Sequence, residues 1–137
     1  DFFPIAAEEQ VGLLSRVPHA SEVLTGRYVE PPTFEASDHR SLRRVEWMRQ
    51  ALQRLETVKF LAHEDMDRTM GQAAIKFCLA QPTITSVLPN FTNLEELREY
   101  TAAPDVLDLS REEISRLEDL WRTGFTMEEP TPEFREI

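Results

Sequence analysis

The residues of this chain that could do chemistry concentrate in two stretches, 18–27 and 89–100. Each opens on a proline that stops an apolar, strand-length run. In a parallel α/β arrangement ligands gather at the C-terminal ends of strands, with phosphate often held after the last two strands of a barrel. The second stretch runs directly into a helix start at Asn93. Free N–H groups and the positive end of the helix dipole suit a phosphate there. Every capped helix presents that geometry, so taken alone it does not single out a phosphate site.

Elsewhere the reactive side chains are scattered. His19, His39 and His63 have neither HExxH spacing nor a cysteine cluster beside them, and no metal site is expected. The single cysteine, Cys78, sits in an apolar helical stretch and reads as a packed thiol rather than a nucleophile. It excludes an internal disulfide and fits a reducing, cytoplasmic setting. Arg40, Arg43 and Arg44, followed by Glu46, read as a solvated helix face. Asp38 and Arg40 read as a loop-closing pair, and Met66 and Met70 as packing.

The elements that must position these residues are legible from periodicity. Residues 2–10 form a short helix with Pro4 in its first turn, where a missing N–H costs little. Residues 11–17 follow as a mostly apolar strand. Residues 19–40, with Gly26, Pro31 and Pro32, make a long loop, and loops of this length are often functional. A helix from Ser41 to about His63 sets Val45, Met48, Leu52, Leu55 and Val58 on one face. A second helix starts at Thr69, with Gln72 completing a capping box. It carries Ala73, Ala74, Ile75, Phe77, Cys78, Leu79 and Ala80, so it should be largely buried, and Pro82 closes it.

Residues 83–88 are short and β-branched, a second strand. Asn93 caps the next helix with Glu96 at its third position. A last helix starts at Ser110, with Glu113 completing another capping box and Leu109 and Ile114 placed for a hydrophobic staple. The tail from Met127, with Pro130 and Pro132, reads as an extended surface segment. Domain organisation is therefore one partial unit, 1–126, and a tail, 127–137. Two strands separated by helices imply parallel pairing through a right-handed crossover. Two apolar strands do not complete a sheet, because each requires neighbours and covering helices. The architecture is α/β and unfinished.

Composition bounds the rest. The 137 residues, 41% of them hydrophobic and 29% charged, describe an ordinary globular chain. A net charge of −10 argues against a sequence-independent nucleic-acid binder. No apolar run is long enough to span a bilayer, so no membrane partner is expected. The first residue is Asp1 rather than Met, the expected mark of a processed, trimmed or partial sequence.

Residues 16–28, RVPHASEVLTGRY, resemble the stretch after the seventh barrel strand of aldo-keto reductases, commonly S/R-x-P-L-A-S-G-x-L-T-G-K-Y. Residues 34–44, with Asp38-His39-Arg40, resemble the loop that follows it in bacterial members. Residues 73–82 match the family's penultimate barrel helix, and 86–100, SVLPNFTNLEELREY, look like its last strand and cofactor helix, S-V-I-P-G-x-x-N-x-E-Q-L-x-E-N. Trp121-Arg122-Thr123-Gly124-Phe125 resembles the terminal helix. The motifs match in order, at compatible spacing, over nearly the whole chain.

The resemblance implies the C-terminal portion of a TIM-type (β/α)8 barrel, with two parallel strands and about five helices. It implies hydride transfer from NADPH, less often NADH, to an aldehyde or ketone in the complete protein. The family's catalytic Asp, Tyr, Lys and His belong to the first half of the barrel, so no catalytic residue is expected in this chain, which alone would be inactive. Carried across, Val17, Pro18, His19, Ser21, Leu24 and Gly26 would lie along the pyrophosphate and ribose. Arg27 replaces the usual Lys as a phosphate partner. Pro89, Asn90, Phe91, Thr92, Glu96, Glu99 and Tyr100 would surround the adenosine.

Three positions depart from NADPH-preferring members, which tend to have Lys or Gly at Asn90, Arg or Gln at Glu96 and Asn at Tyr100. A carboxylate at Glu96 should repel a 2′-phosphate and accept hydrogen bonds from a free ribose 2′-hydroxyl. Alternatively, Glu95, Glu96 and Glu99 merely complement the helix dipole. His19, where the family has Leu, reads either as a polar ring lining a cleft mouth or as a chemical group. Three functions remain open: part of a reductase, a non-catalytic binding or regulatory module, and self-assembly of copies that pool their strand pairs. In the first, the missing N-terminal half, or an oligomer, supplies the rest of the sheet.

Overall fold

Short local signals set the ends of the elements. In the computed structural model, which describes residues 2–62 and 67–126, helix α1 spans Phe2–Glu8. The chain then turns through Gln10 at φ 55° into strand β1, Leu13–Arg16. Strand β2, Ile84–Leu88, pairs with it in parallel, matching Leu14 to Ser86, Ser15 to Val87 and Arg16 to Leu88. Gly12 sits close to β2 at the entry to this pair: a Cβ there would lie 2.9 Å from Thr85 Cγ2, so the Thr85 side chain would have to shift.

The connection between the strands carries helix α2, Val45–Val58, and helix α3, Met70–Leu79. Thr69 and Gln72 form the expected capping box on α3. Helix α4, Leu94–Thr101, is capped by Asn93, whose side chain accepts from Glu96 N at 2.9 Å. Helix α5, Arg111–Arg122, starts with the Ser110–Glu113 capping box. Leu109 and Ile114 are both half-buried.

Among the described residues the fold is thus α/β, with five α-helices around a two-stranded, parallel, unclosed sheet, an incomplete barrel. The openness shows in the burial. Leu14 is 61% exposed and Leu88 47%, although both are strand residues. The main core lies between the helices instead. Val23, Met48, Leu52, Leu55, Val58, Leu61, Met70 and Ala73 form it, with Leu117, Leu120 and Phe125 packed against it. Burying side chains of this size stabilises by about 1.5–3 kcal/mol each, before entropy is counted. Arg68, 5% exposed, fastens α5 to this core. Its guanidinium donates to Leu61 O, Leu107 O and Asp108 O at 2.9–3.0 Å and pairs with Glu113 at 2.5 Å.

Three expectations are corrected. The helix from Ser41 is two elements: a 3₁₀ turn, His39–Leu42, then extended backbone at Arg43 and Arg44 before α2 begins. The break has a local and a tertiary contribution. The Asp38 side chain starts the 3₁₀ turn by accepting from Arg40 N, two residues on, and Arg43 Nε donates to the distant Ser21 Oγ at 3.3 Å. Val45, now the first residue of α2, is 60% exposed rather than core. The C-terminal end of α3 is less buried than its sequence suggests: Phe77 is 52% exposed and Ala80 exposed. The long loop 19–40 also contains a 3₁₀ turn, Val23–Thr25. His63, Met66 and the 127–137 tail lie outside the described residues.

Candidate functional site

Beyond β1 the backbone turns sharply. Val17 (φ 53°), Ala20 (47°), Ser21 (59°) and Glu22 (68°) all adopt left-handed conformations. For a β-branched residue such as Val17 this is a genuine outlier, of the kind that costs of order 1–3 kcal/mol and clusters at ligand-binding sites. The turn remains tied to the sheet, since Val17 N donates to Leu88 O at 3.3 Å. The end of β1 and the end of β2 therefore open side by side.

Between them lies a groove of about 780 Å³. One wall is Val17, His19, Ser21 and Glu22, and the opposite wall is residues 89–92. Of the expected site residues, Val17, His19, Ser21, Pro89, Asn90, Phe91 and Thr92 meet here. Residues 35–40 add a third wall that includes Glu35, Asp38 and Arg40. Site reasoning from sequence missed this wall and Glu22. The Asp38-His39-Arg40 run, read as a loop closure, was the available signal.

His19 lines the groove and is 3% exposed. Its Nε2 lies 3.1 Å from Gly71 O, and a carbonyl partner makes that nitrogen the donor. Its ring packs on Tyr100 with centroids 4.4 Å apart. Burial pushes its pKa below the ordinary value, outweighing the Gly71 hydrogen bond.

Arg27, Glu96, Glu99 and Tyr100 gather in an adjoining cluster. Arg27 pairs with Glu96 Oε1 and donates from Nη2 to Glu99 Oε2 at 3.1 Å. Glu96 Oε2 accepts from Thr92 N at 2.6 Å and Thr92 Oγ1 at 3.0 Å. Burial pushes the Glu96 carboxyl up, but the Thr92 and Arg27 hydrogen bonds together hold it below its ordinary value. Glu99 Oε1 accepts from Thr69 Oγ1 at 2.6 Å, and Gln72 Nε2 donates to Glu99 O at 2.9 Å. Gly71 makes room for this contact, because a Cβ there would sit 2.8 Å from Glu99 Oε1. Two carboxylates thus share one guanidinium, and Glu96 joins the cluster to the groove wall through Thr92. Leu24 packs on the main core, and Gly26, at φ 74°, closes the 3₁₀ turn through its N–H to Val23 O.

The family model described as the aldo/keto reductase family matches residues 1–122. The chain belongs to that family. Among curated relatives of this aldo/keto reductase chain is the "Uncharacterized oxidoreductase YqkF" of Bacillus subtilis, 28% identical over 86% of this chain and 37% of the relative. A "Probable voltage-gated potassium channel subunit beta" of Arabidopsis thaliana is also 28% identical, over 80% of this chain and 34% of the relative. In structure the chain is similar to aldo-keto reductase AKR11C1 of Bacillus halodurans in its holo form. The TM-score is 0.60 at 19% identity, over 87% of this chain and 36% of that one. This chain spans little more than a third of the length of these relatives. Among the described residues no helix is long and apolar enough to cross a membrane.

Proposed function

We propose that this chain is the cofactor-binding C-terminal part of a cytoplasmic NAD(P)H-dependent reductase, its strands the seventh and eighth of the barrel. The observation that carries the reading is the common groove at the two parallel strand ends, where Val17, His19 and Ser21 face residues 89–92. Its volume of about 780 Å³ is of the size that holds a small-molecule cofactor. Ser21 and Thr92 bring hydroxyls to it, and Phe91, 53% exposed, a flat apolar ring. The dinucleotide would supply the hydride for an aldehyde or ketone. The rest of the barrel would supply the proton donor and the substrate pocket, and would cover the bare strand residues Leu14 and Leu88.

Between the two dinucleotides, the Arg27 cluster argues against a strong preference for NADPH. One guanidinium already serves Glu96 and Glu99, so a 2′-phosphate would meet net negative charge there. The expected result is less than tenfold tighter binding of NADPH than NADH. The test is a titration with each cofactor, following Trp47 and Trp121 fluorescence; tenfold or greater preference for NADPH contradicts this reading of the cluster.

A second reading, a non-catalytic binding or regulatory module, is favoured by the names of two plant relatives. Both, from Arabidopsis thaliana and Oryza sativa, are described as probable voltage-gated potassium channel beta subunits. The sequence encoded upstream of Asp1 separates the two. A Tyr with Asp, Lys and His partners there supports the enzyme, and a start codon just before Asp1 supports the module.

A further inference from the structure

A second cavity, of about 470 Å³, lies between the C-terminal half of α3 and the first half of α5, and it shares no lining residue with the strand-end groove. Leu79, Ala80, Leu109 and Ile114 give it apolar walls. Two cations stand among them, Lys76 and Arg111. Lys76 is 6% exposed, and its Nζ donates to Pro104 O at 2.9 Å and to Asp108 Oδ1 at 2.8 Å. An ammonium carries three N–H groups, so one has no protein acceptor among the described residues. A buried charged donor left in that state is costly, and an acceptor in the cavity would satisfy it. Arg111 is exposed and meets no carboxylate among the described residues.

The carboxylates at this cavity are already engaged. The Asp108 side chain is 89% exposed, and the Lys76 hydrogen bond holds its carboxyl below the ordinary value. Glu118 lies 3.6 Å from Arg122, one turn along α5. What the cavity offers a ligand is therefore one unspent ammonium N–H, one unpaired guanidinium and an apolar lining. The two cations suit a carboxylate, and the lining suits a hydrocarbon body. Asp108 and Glu118 would repel a second anionic group, which disfavours a pyrophosphate.

We propose that the α3–α5 cleft binds a small amphipathic monocarboxylate, with its carboxylate on Lys76 and Arg111 and its apolar body against Leu79, Leu109 and Ile114. Such a ligand bridges two helices of unequal anchorage. Helix α5 buries no residue fully and is held to the core through Arg68 and Glu113, so an occupant of the cleft fastens it further. The alternative is a plain strap, in which Lys76 does no more than tie α3 to the 104–108 segment. A strap uses neither the third N–H nor Arg111.

The experiment is a titration of the longest natural polypeptide carrying this sequence with octanoate, following amide shifts at 76–80 and 108–118 and hydrogen exchange of α5. Octanoate should give saturable shifts there and slow the exchange of α5. 1-Octanol, which keeps the apolar body and lacks the charge, should bind at least about tenfold more weakly. Arg111→Gln and Lys76→Met should each weaken octanoate by about tenfold, the scale of one hydrogen bond to a charged group. Asp108→Asn removes the carboxylate that competes for Lys76 and should tighten octanoate, a result a strap does not produce. Should Lys76→Met fail to fold, Arg111→Gln and Asp108→Asn, both at exposed positions, carry the test. No saturable shift at these residues, octanol binding as tightly as octanoate, parental affinity in either folded cation variant, or no tightening in Asp108→Asn overturns the proposal.

Discussion

Replacing Glu96 by Ala probes the joint between the groove and the Arg27 cluster. The Glu96 side chain is 7% exposed and stands at the third position of α4. It accepts two hydrogen bonds from Thr92 and pairs with Arg27. A hydrogen bond to a charged group contributes about 1.5–3 kcal/mol, and a carboxylate in the first helical turn about 0.3–1 kcal/mol more. The three contacts do not sum. Thr92 is exposed, and the Arg27 side chain is 39% exposed and keeps Glu99, so water and Glu99 recover much of what is lost. The expected net destabilisation is therefore about 2 kcal/mol. It would be read as a lower urea midpoint at unchanged slope. A double-mutant cycle with Arg27→Ala should return a coupling of roughly 0.5–1 kcal/mol, reduced by the exposure of Arg27. A loss below about 0.5 kcal/mol would refute the premise that Glu96 anchors the 89–92 wall, since surface substitutions produce that much.

Two further outcomes follow from the same cluster and from the α5 attachment. Gly71→Ala gains about 1 kcal/mol of helix propensity but overpacks, typically at about 1–3 kcal/mol, so a net loss near 1 kcal/mol is expected in thermal unfolding. The new Cβ would lie 3.0 Å from Cε1 of Tyr100, which is 5% exposed, while the Glu99 side chain can move; a stabilised variant would show that this cradle yields. Acid should destabilise the fold through Glu96 and Glu113. Burial pushes the Glu113 carboxyl up, but hydrogen bonds from Ser110 and Arg68 together bring it below its ordinary value, as Thr92 and Arg27 do for Glu96. Their contribution is complete above the unfolded value and lost as pH falls through the lowered folded values. The slope of urea midpoint against pH should flatten in Glu113→Gln; an unchanged slope contradicts the Glu113 assignment.

What was legible in the sequence was local chemistry. Thr69 with Gln72 and Ser110 with Glu113 announce helix starts because cap and partner lie three residues apart. Residues 83–88 announce a strand because β-branched side chains favour it. The parallel pairing and the unfinished sheet followed from element order, and the family motifs led to both strand ends. What stayed hidden depends on distant partners. The break before Val45 is set in part by Arg43 bonding Ser21, 22 residues away. His19 is buried because Gly71, 52 residues on, and Tyr100 enclose it. Glu96 reads as a cofactor ligand or a dipole complement until Arg27, 69 residues away in sequence, is found across from it. The third groove wall depends on Arg40 reaching Glu22, a pairing no local pattern marks.

The central claim, that the two strand ends form one dinucleotide groove, is tested most directly by amide chemical shifts of the isotopically labelled 137-residue chain during an NADH titration. The account predicts saturable shifts at residues 17–22, 35–40 and 89–92, with residues around Lys76 and Arg111, on the other cavity, unchanged. Shifts confined to that other cavity, or a folded spectrum that NADH leaves untouched, would contradict it.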